Sequence, residues 1–126
     1  MQGDFSITNN TKGKLPSLPF ESLKEQILGE KYELSIAFVT PEESHRLNLT
    51  YRQKDKPANV LSFPLSKDSG ELVLDPKTSS ADAKNFDMTP QKFLLFLVIH
   101  GMLHLKGLDH GSTMEREEKK FLKIFS

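Results

Sequence analysis

Three histidines fall close together near the end of the chain, in the run His100-Gly101-Met102-Leu103-His104-Leu105-Lys106-Gly107-Leu108-Asp109-His110. A neutral imidazole is a ligand for divalent transition metals. His100 and His104 are four positions apart, so on a helix both rings share one face, one turn apart. Gly107 can end that helix in a left-handed conformation and turn the chain back, bringing His110 to the first two rings from a loop. One histidine on an apolar helix is more often a hydrogen-bonded core residue than a ligand. Three of them around a chain-reversing glycine are costly to bury unless a metal satisfies their nitrogens. Three neutral ligands would leave a zinc ion with a charge of about +2 and an open fourth position. Structural zinc sites fill that position, mostly with sulfur, and this chain has no cysteine. An open site favours a bound water whose pKa zinc lowers to ~7, and it attracts anionic substrates. Asp109 has two readings, a carboxylate that orients a ligand ring and an ordinary turn aspartate. Histidine sites of this kind also take nickel, copper or cobalt.

The same spacing occurs in metzincin proteases, which place glutamate directly after the first histidine as general base. Here that position is Gly101, so a peptidase would need its base elsewhere. The missing cysteines also remove disulfides and thiol nucleophiles and fit a reducing compartment. Seventeen basic residues balance seventeen acidic ones, so nucleic-acid binding has to rest on a local patch. One exists. Arg46, Arg52, Lys54 and Lys56 fall in a short segment with one acid, Asp55, among them. Alone, such a segment is more often a solvated loop than a site.

These residues need elements to hold them. With 126 residues the chain suits one domain, residues 1–126, with a core that needs no metal staple. Residues 4–8 alternate as a strand, and Phe20 to Glu30 has helical spacing with Gly29 as a stop. Tyr32 to Val39 reads as a second strand. Thr40-Pro41-Glu42-Glu43 is a helix start with a cap and Pro at the first position, and that helix should run to about Arg52. Val60 to Leu65 and Glu71 to Leu74 read as two strands joined around Asp68-Ser69-Gly70. Residues 76–87 carry at most a short helix. Thr89-Pro90 repeats the cap signal for a helix reaching about Lys106, and Glu115 to Phe125 reads as the last helix. The run Phe93 to Leu105 is apolar all round, as in a helix at the middle of a domain. At about thirteen residues with two histidines it is too short to cross a bilayer. No secretory signal is visible at the N-terminus. The expected fold is α+β: a single mixed sheet of about four strands with helices, and a central apolar helix carrying His100 and His104.

Taken together, the segments resemble the YbeY family of bacterial endoribonucleases. The pattern His-Gly-x-Leu-His-Leu-x-Gly-x-Asp-His is met at every fixed position of residues 100–110. The segment Arg52-Gln53-Lys54-Asp55-Lys56-Pro57-Ala58-Asn59-Val60-Leu61-Ser62-Phe63-Pro64 resembles the family's second signature, and the glycine-led strand Gly70-Glu71-Leu72-Val73-Leu74 its third. Ala58 stands where threonine is usual and Leu108 where tyrosine is usual, and the parts after Asp75 and at the C-terminus look short. The resemblance implies one zinc ion held by His100, His104 and His110. It implies cleavage of single-stranded RNA, maturation of the 3′ end of small-subunit ribosomal RNA, and ribosome quality control in the cytoplasm. The expected partners are ribosomal RNA and ribosomal proteins, with no DNA and no membrane. Arg52 carries over as the functional arginine, with His100 beside it as both ligand and catalytic residue. Lys54 and Lys56 would guide the RNA backbone. Phe63 could stack a base if exposed, but core packing is its more ordinary role. Two other readings compete: a ribosome-associated module braced by zinc without catalysis, and a metal-dependent hydrolase of another substrate.

Overall fold

In the computed structural model, which describes residues 3–126, one four-stranded mixed sheet forms the centre. Its strands are β1 (Phe5–Asn9), β2 (Glu33–Phe38), β3 (Val60–Ser66) and β4 (Ser69–Leu74), in spatial order β1-β2-β4-β3. β1 and β4 run parallel to β2, while β3 pairs antiparallel with β4 and forms an edge. The β3–β4 hairpin is tighter than its glycine and serine suggest. β4 already begins at Ser69, and the register shifts by a bulge between Pro64 and Ser66.

Among the described residues, five α-helices pack around the sheet: α1 (Phe20–Ile27), α2 (Pro41–Arg52), α3 (Pro76–Asp82), α4 (Pro90–Lys106) and α5 (Ser112–Phe125). A 3₁₀ turn at Ala83–Phe86 follows α3. Thr40 Oγ1 accepts from Glu43 N at 3.3 Å and Thr89 Oγ1 from Lys92 N at 3.2 Å, with proline at the first helical position each time. Each hydroxyl satisfies a backbone donor that the helix itself cannot. Asp75 caps α3 in the same way, accepting from Thr78 N at 2.9 Å. α5 starts at Ser112, three residues ahead of the expected Glu115.

Side chains alternate across the strands, so each face of the sheet builds its own apolar layer. Leu34, Ile36, Phe38, Leu72 and Leu74 join α1, α4 and α5 in the main core. Val39, Ala58, Leu61 and Val73 form a smaller layer on the other face, covered in part by Leu47 of α2. α4 touches β3, β4, α1, α3 and α5. That enclosure is why it is apolar on every side, and why a helix of Phe, Leu, Val and Ile fits there. Gly101 sits where α4 crosses the sheet. A Cβ there would lie 2.7 Å from Leu72 Cδ2 and 3.2 Å from both Ser62 Oγ and Val60 Cγ2. The general-base position of the metzincin pattern therefore points into close packing, with no room for a glutamate.

Candidate metal centre and cleft

The last turns of α4 carry the first two histidines. Gly107 ends the helix at φ 108°, and its N–H returns to the His104 carbonyl at 3.0 Å while Leu108 N–H reaches Leu103 O at 3.0 Å. This left-handed stop turns the chain, and His110 arrives beside the helix. The ring centroids are 4.6 Å apart for His100 and His104, 5.2 Å for His100 and His110, and 4.9 Å for His104 and His110. One nitrogen from each ring can be chosen so that all three lie within 4.8 Å of one another. His100 and His104 are half-buried and His110 is exposed.

Glu118 of α5 provides a contact that sequence reasoning missed. Its Oε2 lies 2.6 Å from His100 Nδ1, with side-chain exposures of 19% for the histidine and 12% for the glutamate. A carboxylate accepts from Nδ1–H, so this pair favours the tautomer with a bare Nε2. That Nε2 lies 3.1 Å from His104 Nε2. Nitrogens bound tetrahedrally to zinc at ~2.0–2.1 Å stand roughly 3.3 Å apart, so this pair is already near the spacing of two ligands on one ion. His104 has its pKa lowered from the ordinary 6.5, first by burial and then by the charges of His100 and His110. Hydrogen bonding with the Leu108 backbone and the charge of Asp109 act the other way. A neutral His104 is the form that binds metal. Donor type, spacing and tautomer all fit a divalent ion of borderline softness. Asp109 is exposed and bears on His104 only through its charge. The close carboxylate belongs to Glu118, on His100.

The cluster lies in the wall of a two-lobed cleft. The first lobe, ≈ 550 Å³, runs from the three histidines along β3 to Arg52 and Tyr51. The second, ≈ 570 Å³, shares Arg52, Val60, His100 and His110 and continues between the Lys54–Asn59 loop and the start of α4. Arg52, at the C-terminus of α2, has no ion-pair partner among the described residues and faces both lobes. Lys54 and Lys56 line the second lobe only. Phe63 is half-buried. It belongs to the smaller core layer, meets Tyr51 edge-on at 5.2 Å, and also lines the first lobe.

The basic loop is held by its backbone, which frees its cations. Gln53 takes a left-handed φ of 57° to close α2. Asn48 Nδ2 donates to Lys56 O at 2.9 Å, and Ala58 N donates to Ser44 Oγ at 3.3 Å. Ser44 Oγ in turn donates to the buried Asp75 Oδ2 at 2.7 Å. The loop's single acid, Asp55, is taken up by His45 at 2.6 Å. Asp75-Pro76 carries the same cap signature as Thr40-Pro41, so this buried carboxylate had a readable signal. Glu118 had none, being one of several acids on α5.

An α+β domain with a three-histidine cluster able to hold a metal ion, opening on a cleft whose arginine has no ion-pair partner among the described residues, defines the class. The particular family follows from comparison: residues 4–124 match the sequence model of Endoribonuclease YbeY, and the chain belongs to that family. An Endoribonuclease YbeY of Finegoldia magna is 31% identical over 97% of this chain and 88% of its own length. One from Acinetobacter baumannii is 41% identical over 71% of this chain, a stretch that covers 64% of the relative. The solution structure of TM1509 from Thermotoga maritima superposes with a TM-score of 0.67 at 31% identity, over 94% of this chain and 87% of that one. Ala58 and Leu108, the two residue departures noted from the sequence, occupy packing positions. Ala58 is buried in the smaller layer and Leu108 rests against the main core.

Proposed function

We propose that the chain, as one domain, is a zinc-dependent endoribonuclease that cuts single-stranded RNA. In this reading it matures the 3′ end of small-subunit ribosomal RNA and serves ribosome quality control in the cytoplasm, in company with ribosomal proteins. The observation that carries the reading is the meeting of His100, His104, His110 and Arg52 in one open cleft. Family membership supports the reaction class. No helix among the described residues is long and apolar enough to cross a membrane. A bracing ion would be enclosed by four protein ligands. Among the described residues the group that could hold an ion contains three, and the cluster lines an open cleft.

His100, His104 and His110 would hold one ion. When bound, zinc supplies Lewis acidity toward a phosphoryl oxygen and lowers the pKa of a coordinated water. His100 is the ligand whose orientation is fixed from behind, by Glu118. The Arg52 guanidinium pairs with non-bridging oxygens of the scissile phosphate and stabilises the charge that grows there. Lys54 and Lys56 attract the adjoining backbone, which makes binding fall with salt. Substituting Arg52→Ala removes cleavage by roughly 10²–10³-fold and leaves the metal content near one ion per chain. Elemental analysis beside an RNA cleavage assay measures both. Normal cleavage by that variant would overturn the role given to Arg52.

A further inference from the structure

We propose that the second lobe is a nucleobase subsite, in which an unpaired base stacks on the Phe86 ring while its phosphates lie against Lys54 and Lys56. The proposal rests on the nuclease reading and specifies how its substrate is held. Near-parallel rings run from the surface to the metal cluster. Phe86 stacks on Phe93 with centroids 4.8 Å apart and planes 18° apart. Phe93 and Phe96 follow at 6.2 Å and 13°, then Phe96 and His100 at 6.0 Å and 30°. Phe93 is buried, so the inner rungs have a packing role. Phe86 does not share that excuse: one side of its ring rests on Phe93, yet the residue is 57% exposed. It stands in the wall of the lobe whose inner end is His100, His110 and Arg52.

The same lobe carries the complementary chemistry. Arg52, Lys54 and Lys56 place three cations on the lobe against one acid, Asp82. An apolar ring and cations lining one lobe match a nucleotide, which has a π face and an anionic linker in a fixed relation. The volume, ≈ 570 Å³, lies within the range of small-ligand clefts, ~300–1,000 Å³. A paired base keeps its faces inside its own helix and has none to give to Phe86. A splayed single strand has one for each nucleotide. The lobe thus selects unpaired RNA on one side of the cut, while the first lobe receives the strand on the other side.

The test pairs a protein change with a substrate change. Purified metal-bound protein, wild type and Phe86→Ala, is given a cleavable single-stranded RNA in which one base at a time is replaced by an abasic sugar. The expected result for Phe86→Ala is a roughly ten-fold rise in KM with kcat kept. One abasic position, within a nucleotide or two of the cut, should cost the wild type the same factor and the variant nothing. Phe86→Trp should retain wild-type KM. Thermal melting of each variant confirms that this surface change leaves the fold intact. The same protein pair is then titrated by fluorescence anisotropy with a non-cleavable RNA of that sequence. Phe86-dependent binding without any cleavage by the wild type would end the nuclease reading and keep the subsite. Equal affinities of wild type and Phe86→Ala, or abasic and Phe86→Ala effects that simply multiply, would overturn the subsite whatever the cleavage shows.

Discussion

The two walls of the cleft are built on opposite principles. On one side, His100 and His104 project from a helix whose neighbours Val98, Ile99, Met102 and Leu103 are fully buried, and Glu118 locks the first ring from a second helix. On the other, Arg52 stands exposed at the end of α2, and Lys54 and Lys56 stand exposed on the loop that follows it, which is fixed through its backbone, a few buried polar atoms and the buried Ala58. A metal ion demands ligand atoms placed to within a fraction of an ångström, and a close-packed core supplies that. A phosphate backbone asks for charge that can follow a flexible strand, and long side chains on a loop supply that. His110 belongs to both, a member of the three-histidine cluster carried on the loop beyond Gly107.

The sharpest way to break the rigid wall is His104→Ala. Metal should be lost, and cleavage should fall by at least about 10³-fold, in contrast to Arg52→Ala, which spares the metal. Elemental analysis and single-turnover cleavage read the two together. A variant that keeps its ion would mean that His104 is not a ligand. Glu118→Ala tests whether rigidity is imposed from behind. Metal affinity should weaken by about 10–100-fold in a competition titration against a chelator, while melting of the metal-free protein changes little. Unaltered affinity would reduce Glu118 to a bystander. Gly101→Ala tests the packing beneath. Overfilling costs about 1–3 kcal/mol, against about 1 kcal/mol recovered in helix propensity, so Tm should drop by a few degrees, and Gly101→Glu should fall much further. A higher Tm for the alanine variant would show that Leu72 gives way freely.

The smallest effect is one of pH. His104 is held below its ordinary pKa of 6.5, so the unfolded chain binds its proton first as pH falls. Stability of the metal-stripped protein is therefore complete above ~6.5 and declines as pH drops toward the folded-state value. Melting curves at successive pH values should show this decline, with its slope reduced in His104→Ala. Equal slopes would assign the dependence to other groups.

Much of this division was legible in the residues. The i,i+4 histidines, the all-apolar helix and Gly107 lie within one stretch, where spacing alone states geometry, and the Thr-Pro caps locate both long helices. Glu118 was not legible, because it reaches His100 from another helix. Which of Glu115, Glu117 and Glu118 turns inward depends on how α5 rolls onto α4, a tertiary matter. Phe86 was hidden for a similar reason. Residues 76–87 have weak periodicity, and the 3₁₀ turn that presents the ring is set by its docking on Phe93. The gap at Gly101 was visible as a missing base, but only the packing against Leu72 explains why no side chain stands there.

The outer position of β3 has one more consequence. An outer strand edge is a template on which another copy can extend the sheet, and β3 also lines the first lobe of the cleft. Pro64 removes a donor from that edge, and the register irregularity between Pro64 and Ser66 is of the kind that twists a strand end away from flatness. Both features weigh against another copy adding a strand beside the mouth of the cleft.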